Sequence, residues 1–432
     1  MFHRILGLAV VFCLLLTLVH ADSRDELWKE VQQAEKKGLP KTAVQKLEPI
    51  IKSAIEDKDF DEAVKAIAKK VSLETPKSEE RIQKFQTELD KSPAAMKPVM
   101  HAVLAHWYWT YFQQNRYRFM QRTQTSAPPG KDFTTWSLPR LFNEIGTHYQ
   151  AALKEADKLQ KVPVADWDEL LEKGTVPDSY RPTLYDFLVH EAIDFYASGE
   201  QAAAKPEDAF ELSAGSPIFS SVDDFLKWTP DSTDEEAPTL QAIQLYQKLI
   251  TFHRNDKANA ALLDADLSRL KFGYNIAFGE EKNARYKAAL EKFVDQNGDH
   301  QISARATHDW AAVVHSEDDW VKARSIAQRG MNRYPDSIGG KQCYNLIQQI
   351  EARQSQITTE RVWNKPLPTI DITYRNITKV FFRVVPFDHQ EFISSQRWSP
   401  ESLNNNQRQE ILKRKPVKEW SHDLPKTEDY QQ

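Results

Sequence analysis

The sequence predicts a mainly α-helical protein made of helical hairpins, with a short β segment at its C-terminal end. Glycine is scarce, at 13 of 432 residues, whereas the helix-favouring Lys, Glu, Ala, Leu and Gln are plentiful. Apolar residues recur at helical spacing through most of the chain. Residues 372–388, "ITYRNITKVFFRVVPFD", instead alternate between polar and apolar side chains, which is the period of a strand.

Composition and charge indicate a folded protein that does not bind nucleic acid. Hydrophobic residues make up 41% of the chain and aromatic residues 11%, which is enough to build cores. The net charge is -5 and both signs are interspersed, so no basic surface is available for a polyanion.

The first 21 residues have the pattern of a secretory signal peptide. Arg4 precedes an apolar run from Ile5 to Val19, and Ala21 is a small residue suited to cleavage. The run is shorter than the roughly twenty residues that cross a bilayer. We therefore expect cleavage after Ala21 and a periplasmic or extracellular protein, with an uncleaved inner-membrane anchor as the alternative.

Cleavage would also determine how many cysteines the mature protein contains. It removes Cys13 and leaves Cys343 as the one remaining cysteine of the sequence. No intramolecular disulfide can then form, so we expect packing to stabilise the protein.

Residues 22–203 are predicted to form an N-terminal helical subdomain. Amphipathic helices begin near Asp25 and break at Gly38-Leu39-Pro40, which indicates a hairpin. A strongly aromatic segment follows from Pro98, and its apolar residues on nearly every side predict a helix covered by neighbours. Pro182 opens a further helix.

Residues 204–238 are rich in Pro, Ser and acids and are predicted to be a loop or boundary. Residues 239–358 are predicted to form tetratricopeptide-like helical repeats. In "ARATHDWAAVVHSEDDWVKARSIAQRGMNRYPDS", small alanines allow two helices to approach, "HSEDD" forms the turn, and Tyr334-Pro335 ends the second helix. An α-solenoid is the expected architecture.

Residues 365–432 are predicted to contain one or two strands and a polar, partly helical tail. The apolar alternate positions include Ile372, Val380 and Phe382. No other segment of the sequence resembles a partner strand, and a strand pair alone is marginal in water. These side chains must therefore dock on the helices, recruit another chain, or stay exposed.

One segment partly resembles a calcium-binding loop. Asp295, Asn297 and Asp299 occupy the first three ligand positions of such a loop. However, His300 stands where glycine is needed, and Ala306 stands where the bidentate glutamate belongs. A polar turn between helices is therefore the expected structure.

Three other features are expected to be structural. His190 begins "HEAID", but Asp194 replaces the second histidine of a zinc-protease helix. Cys343 has no activating neighbours in sequence and is expected in the core. The aromatic stripe from Trp107 to Phe119 suits a buried helix better than a stacking platform for sugar or nucleic acid. We predict no catalytic, cofactor-binding or metal-binding residues, and a protein that is not an enzyme.

Several stretches resemble the N-terminal region of large exported bacterial α2-macroglobulin-family proteins. They include "DELWKEVQQAEKKGLPKTAVQKLEPI", "AHWYWTYFQQNRYRFMQRTQTSAPPGKDFTTWSLPRLF", "RPTLYDFLVHEAIDFY", "YPDSIGGKQCYNLIQQIE" and "ITYRNITKVFFRVVPFD". In that family a helical region precedes macroglobulin β-sandwich domains, a bait region and, in many members, a Cys-Gln thioester that traps proteases. The resemblance implies that residues 365–432 begin the first sandwich.

The 432 residues depart from this family pattern because they contain no "CxEQ" thioester sequence, and no Glu-Gln follows Cys343. The resemblance therefore implies a scaffold region of an endopeptidase inhibitor that lacks the bait and thioester regions. Its expected partners are proteases or a β-sandwich companion. The alternative is a free-standing periplasmic adaptor that binds proteins through tetratricopeptide-like repeats.

The signal-peptide prediction can be tested on protein recovered from the exported fraction of a bacterial host. N-terminal sequencing is expected to begin at Asp22, because cleavage after Ala21 places it first. A retained Met1 on membrane-bound protein would contradict cleavage and support the anchor.

Overall fold

The computed structural model describes residues 24–121, 130, 132–204, 210–359, 369–395 and 403–431. It is mainly helical, at 64% helix, with a few short antiparallel strands, which confirms the predicted fold class at that level. The chain divides into two compact units, residues 1–289 and 290–432. The segment 204–238 lies within the first unit, and its residues 205–209 are outside the described part.

Helices form the first unit. They are α1 (24–36), α2 (Pro40–Asp57), α3 (Phe60–Glu74), α4 (Ser78–Lys91), α5 (Lys97–Gln114), α6 (Arg116–Met120), α7 (Leu138–Ala152), α8 (Ala156–Leu159), α9 (Leu184–Tyr196), α10 (Val222–Lys227), α11 (Pro238–His253) and α12 (Ala260–Ile276). Helix α13 (Lys282–Gln296) contains the boundary between the units. Short 3-10 helices, including Val164–Trp167, connect some of these elements.

The second unit contains three long helices followed by strands. The helices are α14 (Ser303–Ser316), α15 (Trp320–Arg333) and α16 (Ile338–Glu351), and two shorter ones, α17 (His389–Ser395) and α18 (Asn405–Lys413), lie among the strands. The strands are β1 (Gln354–Thr359), β2 (Ile370–Arg375), β3 (Lys379–Val384) and β4 (Lys418–Asp423). They form two separate antiparallel pairs, β1 with β2 and β3 with β4.

The expectation that the β segment has no partner strand was wrong. Strand β1 lies in a segment predicted as helical repeat, and β4 lies in the tail predicted as polar and partly helical. Each of these two strands has only exposed residues, so neither shows the apolar alternation of a half-buried strand. Backbone pairing forms both strands without burial of their side chains.

The first hairpin forms as predicted at Gly38. This glycine has φ of +69°, a conformation that a side chain disfavours, and α2 begins just after it at Pro40. The two helices bury Val31 and Ala34 of α1 against Ala43, Leu47 and Ile50 of α2, together with Ala66 of α3. Contacts of this kind between small and branched side chains hold the N-terminal helices together.

The aromatic segment forms α5 and the short α6; α5 is largely buried, as expected, whereas Tyr117 on α6 is 75% exposed. In α5, Tyr108 and Phe112 are buried. The ring of Phe112 lies 5.0 Å from that of Phe142 on α7, and the ring of Trp109 lies 5.5 Å from that of Phe195 on α9, both edge to face. Helix α5 is therefore covered on more than one side.

A buried histidine joins α9 to α11. The Nε2 atom of His253 lies 2.5 Å from Oδ1 of Asp186, and its Nδ1 atom lies 2.7 Å from Oδ2 of Asp256. Asp186 also caps α9 through a capping box with Thr183. Burial by itself would lower the pKa of His253, but its two carboxylate partners outweigh burial and raise that pKa. The charged imidazolium donates a hydrogen bond from each nitrogen.

A pair of histidines, His101 and His148, favours the neutral form, unlike His253. The Nδ1 atoms of His101 on α5 and His148 on α7 are 2.9 Å apart, so one donates and the other accepts. Burial lowers the pKa of both, and that of His148 falls to about 4. This pair loses its hydrogen bond when both rings become charged, so its stabilising effect disappears on acidification.

Helices α14, α15 and α16 pack on one another in the second unit. The approach of α16 to α14 is so close that a Cβ atom at Gly339 would lie 2.1 Å from the backbone nitrogen of Arg305. The buried thiol of Cys343 lies 3.6 Å from the carbonyl oxygen of Ala304. Glycine at 339 is therefore a packing requirement.

Within the described ranges, no helix is long and apolar enough to cross a membrane. The predicted signal peptide, residues 1–21, lies outside them.

Replacing His253 by Gln should destabilise the first unit by about 3 kcal/mol near pH 6, because it leaves the buried Asp186 without its charged partner. A raised folded pKa means that the imidazolium stabilises fully below the ordinary value of about 6.5. That stabilisation is lost as the pH rises through the folded value. The difference between wild type and His253→Gln should therefore shrink from pH 6 toward pH 9 in urea unfolding followed by circular dichroism.

The matched control is His106→Gln on α5, because His106 is exposed. It should leave stability unchanged at every pH. A His253→Gln deficit that is constant with pH would show that His253 does not carry the charge.

Candidate protein-binding surface

Large apolar side chains are exposed mainly at the C-terminal end of the described chain. These residues are Ile357, Ile370, Phe381, Val384, Phe387, Ile393, Leu412, Val417 and Trp420. Phe381 is 76% exposed and Val417 is 74% exposed, values far from those of a core residue. Where exposed apolar side chains form a contiguous patch, they mark a site of interaction or of aggregation.

The first strand pair places isoleucines opposite each other. Ile357 on β1 faces Ile372 on β2 in the ladder, and Ile370 lies two residues before Ile372 on the same face. Ile357 is 63% exposed. The pair thus holds an apolar stripe that the described part of the chain does not cover.

The two faces of the second strand pair differ: Phe382 and Trp420 lie on one face, and Phe381 lies on the other with Arg383 and Glu419. Phe382 on β3 lies opposite Trp420 on β4, and the rings stack with centroids 4.9 Å apart and planes inclined by 7°. On the other face, Arg383 forms an ion pair with Glu419 at 2.5 Å. The aromatic stack fixes the register of the pair, yet Trp420 remains 43% exposed.

Both strand pairs have free edges. Each sheet contains two strands, so in the described residues the outer backbone groups of β1, β2, β3 and β4 have no ladder partner. Free edges of this kind accept an additional strand from another segment or chain. The geometry therefore suits a β-rich partner that adds strands and covers the apolar stripes.

The corner between β2 and β3 is fixed to α16. Asn376 adopts a left-handed conformation, with φ of +55°, which Asn tolerates better than most residues. Its Nδ2 atom donates to the carbonyl oxygens of Ile350 at 2.9 Å and Ala352 at 3.1 Å. The guanidinium of Arg375 lies 4.8 Å from the ring centroid of Trp320 on α15. The strands are thus attached at one end while their apolar side chains stay exposed.

The segment after β4 also contacts this corner. The hydroxyl of Tyr374 donates to the carbonyl of Pro425 at 2.9 Å, and the backbone N–H of Asn376 donates to the Thr427 hydroxyl at 3.2 Å. The side chain of Gln431 donates to the carbonyl of Asp318, in the turn between α14 and α15, at 2.6 Å. The last residues therefore hold both strand pairs against the helices of their own unit.

Two residues of the partial calcium loop make hydrogen bonds to the backbone of their own chain. Asn297, in the partial calcium loop, donates to the carbonyl of Phe293 at 3.0 Å. His300 accepts from the backbone N–H of Ile302 at 3.2 Å. Over the ranges that the structure describes, no three His, Cys, Asp or Glu side chains come together to hold a metal ion. Asp295 and Asp299 line a cavity together with Arg329.

His190 and Cys343 are buried, as expected. His190 is 5% exposed, and its Nε2 atom lies 3.9 Å from Oδ2 of the buried Asp264. Cys343 is fully buried, and burial together with the charge of Asp309 raises the pKa of its thiol to about 12. A thiol so resistant to deprotonation is a poor nucleophile, which suits a packing role.

A scan against protein-family models and a search of curated proteins returned no match to this chain. The resemblance to the α2-macroglobulin family therefore stays a prediction.

The sequence identified the apolar alternation of β2 and β3 but missed their partners. In β1 the one large apolar residue is Ile357, and in β4 it is Trp420. Trp420 in the polar run "KEWSHD" is the signal that could have shown the second pair, because an aromatic residue there lies opposite Phe382.

The attachment at Asn376 can be tested with two substitutions. Asn376→Gly removes the side-chain hydrogen bonds but tolerates the left-handed backbone, and we expect it to weaken the attachment by about 1 kcal/mol. Asn376→Ala adds backbone strain of about 1 kcal/mol. Hydrogen exchange of residues 369–384 should thus accelerate in both variants, and more in Asn376→Ala.

The peptide covering α16 provides the control within each sample, since its exchange should change little. Unchanged exchange of residues 369–384 in both variants would show that Asn376 does not hold the strands to α16.

Proposed function

We propose that this chain is the exported helical scaffold region of an α2-macroglobulin-like endopeptidase inhibitor, and that its C-terminal strands receive a β-sandwich companion. The observation that supports the proposal most directly is the pair of two-stranded sheets with free edges and exposed apolar stripes, attached to helices at Asn376. The expected export, the α-solenoid and the family resemblance from the sequence belong to the same proposal.

The proposed role is structural. The scaffold holds the first strands of a sandwich at a fixed place, and the companion strands complete the sheets by backbone pairing. A companion that covers both faces of the β3–β4 pair buries Phe381 on one face and Trp420 on the other, and this burial supplies the hydrophobic part of the binding free energy. Trapping of a protease would require bait and thioester regions, which the 432 residues do not contain.

A second candidate function is a periplasmic adaptor with tetratricopeptide-like repeats. It is favoured by the mutual packing of α14, α15 and α16 and by a cavity of about 490 Å³ beside them. Arg329 and Arg333, one helical turn apart on α15, line that cavity together with Asp295 and Asp299. An adaptor would bind its partner with the helices rather than with the strands.

Site-specific photo-crosslinking in the exporting host distinguishes the two functions. A benzophenone amino acid replaces Trp420 in one variant, Arg329 in a second and the exposed Tyr117 in a control. The scaffold proposal predicts a strong crosslink from position 420 to β-sandwich sequence, identified by mass spectrometry, and little from positions 329 and 117.

A crosslink from position 329 to a partner, with none from position 420, would contradict the scaffold and support the adaptor. A protease assay adds an independent check. The purified chain in molar excess should leave the cleavage of a large protein substrate unchanged, whereas inhibition would show that the chain itself carries a trap.

A further inference from the structure

A cavity of about 490 Å³ lies in the first unit among the start of α3, the start of α5 and the segment that precedes α9. Its size is within the range of cavities that bind small ligands or single side chains. We call it the Asp61 cavity. Its walls are mostly apolar, with the side chains of Phe60, Pro98, Leu159, Val162, Trp167 and Leu184. Trp167 is only 4% exposed, so its ring belongs to the fixed wall of the cavity.

The charged lining of the cavity is predominantly negative. Four carboxylates line it, and two ammonium groups accompany them; these are Asp59, Asp61, Glu155 and Asp166 with Lys58 and Lys158. Two of the carboxylates have cationic partners already. Asp59 pairs with the buried Arg24, and Glu155 pairs with Lys158 at 2.9 Å.

Asp61 is the buried carboxylate of this lining. It is 9% exposed, and no ion pair joins it to a cation of the described chain. Lys65, one helical turn further along α3, pairs instead with Glu169 at 3.0 Å. Burial raises the pKa of Asp61, and the nearby charges of Asp59 and Glu169 raise it further, against a hydrogen bond from the backbone of Glu62 that lowers it.

An alkylammonium group matches both the apolar walls and the negative charge of this cavity. Its positive charge compensates Asp61, since a buried carboxylate is costly without a cation. Its apolar stem contacts the walls formed by Phe60 and Leu159, and the indole of Trp167 favours a cation or its adjacent methylenes. An anion would meet a net negative lining, and a neutral apolar ligand would leave Asp61 without a cationic partner.

We propose that the Asp61 cavity is a binding site for a primary alkylammonium group, supplied by a free amine or by a lysine side chain of a peptide. Asp61 receives the ammonium, and the apolar walls with Trp167 receive the stem. This site is independent of the C-terminal strands and of the scaffold function.

The test measures dissociation constants by ligand-observed NMR with the full chain. Butylammonium is the probe, and butanol is its neutral counterpart of equal length. We expect butylammonium to bind at least about tenfold more tightly than butanol, because a charged hydrogen bond to a carboxylate is made only by the amine. Equal binding of the two would overturn the proposal, and this comparison needs no variant.

A substitution then locates the site. Asp61→Asn should weaken butylammonium binding by about tenfold or more and leave butanol binding unchanged. The matched control is Asp90→Asn on α4, an exposed position away from the cavity lining, which should bind both probes like wild type. Wild-type affinity in a folded Asp61→Asn protein would overturn the assignment to Asp61.

The source of the group is resolved with a peptide. An acetylated Gly-Lys-Gly amide that binds more tightly than butylammonium indicates a peptide lysine, whereas weaker binding indicates a free amine. The same peptide with an acetylated lysine side chain should not bind, and its binding would contradict recognition of the ammonium.

Discussion

The close approach of α16 to α14 is the contact on which the C-terminal part of this protein depends. It exists because residue 339 has no side chain, since a Cβ atom there would lie 2.1 Å from the backbone of Arg305. The approach places the last carbonyl groups of α16 where Asn376 can bond to Ile350 and Ala352. The corner joins the two strand pairs, because β2 ends just before Asn376, β3 begins shortly after it, and β1 and β4 pair with these two strands. The helices thus position the strands without burying them.

The first unit buries several of its charged and aromatic side chains, whereas the second unit leaves apolar side chains of its strands exposed. In the first unit, buried charges such as His253 are matched by carboxylates from α9 and from the loop after α11, and aromatic rings of α5 fill the space toward α7 and α9. In the second unit, apolar side chains of β3 and β4 remain outside the core although backbone pairing is complete between the strands. A two-stranded ladder has no second layer with which to cover its apolar face. This constraint explains why the exposed apolar residues concentrate there.

Much of the helical fold could be predicted from the sequence because its signals are local. Gly38-Leu39-Pro40 ends one helix and starts the next, and Tyr334-Pro335 follows the end of α15. The partner strands could not be predicted in this way, since β1 and β4 are defined by backbone pairing and carry mostly polar residues. The Asp61 cavity could not be predicted from the sequence either. Asp61 and Trp167 are distant in sequence, and only the packing of three helical segments brings them to one space.

Phe381 and Trp420, on opposite faces of the β3–β4 pair, are the side chains that we propose a companion covers, and hydroxyl-radical footprinting measures their exposure most directly. Trp167, which is buried, serves as the internal reference. Phe381 and Trp420 should be strongly oxidised and Trp167 weakly oxidised in the purified monomer. Phe381 and Trp420 should be protected in the complex isolated from the exporting host. Protection of both residues already in the purified monomer would contradict the proposal, because the chain would then cover these side chains itself.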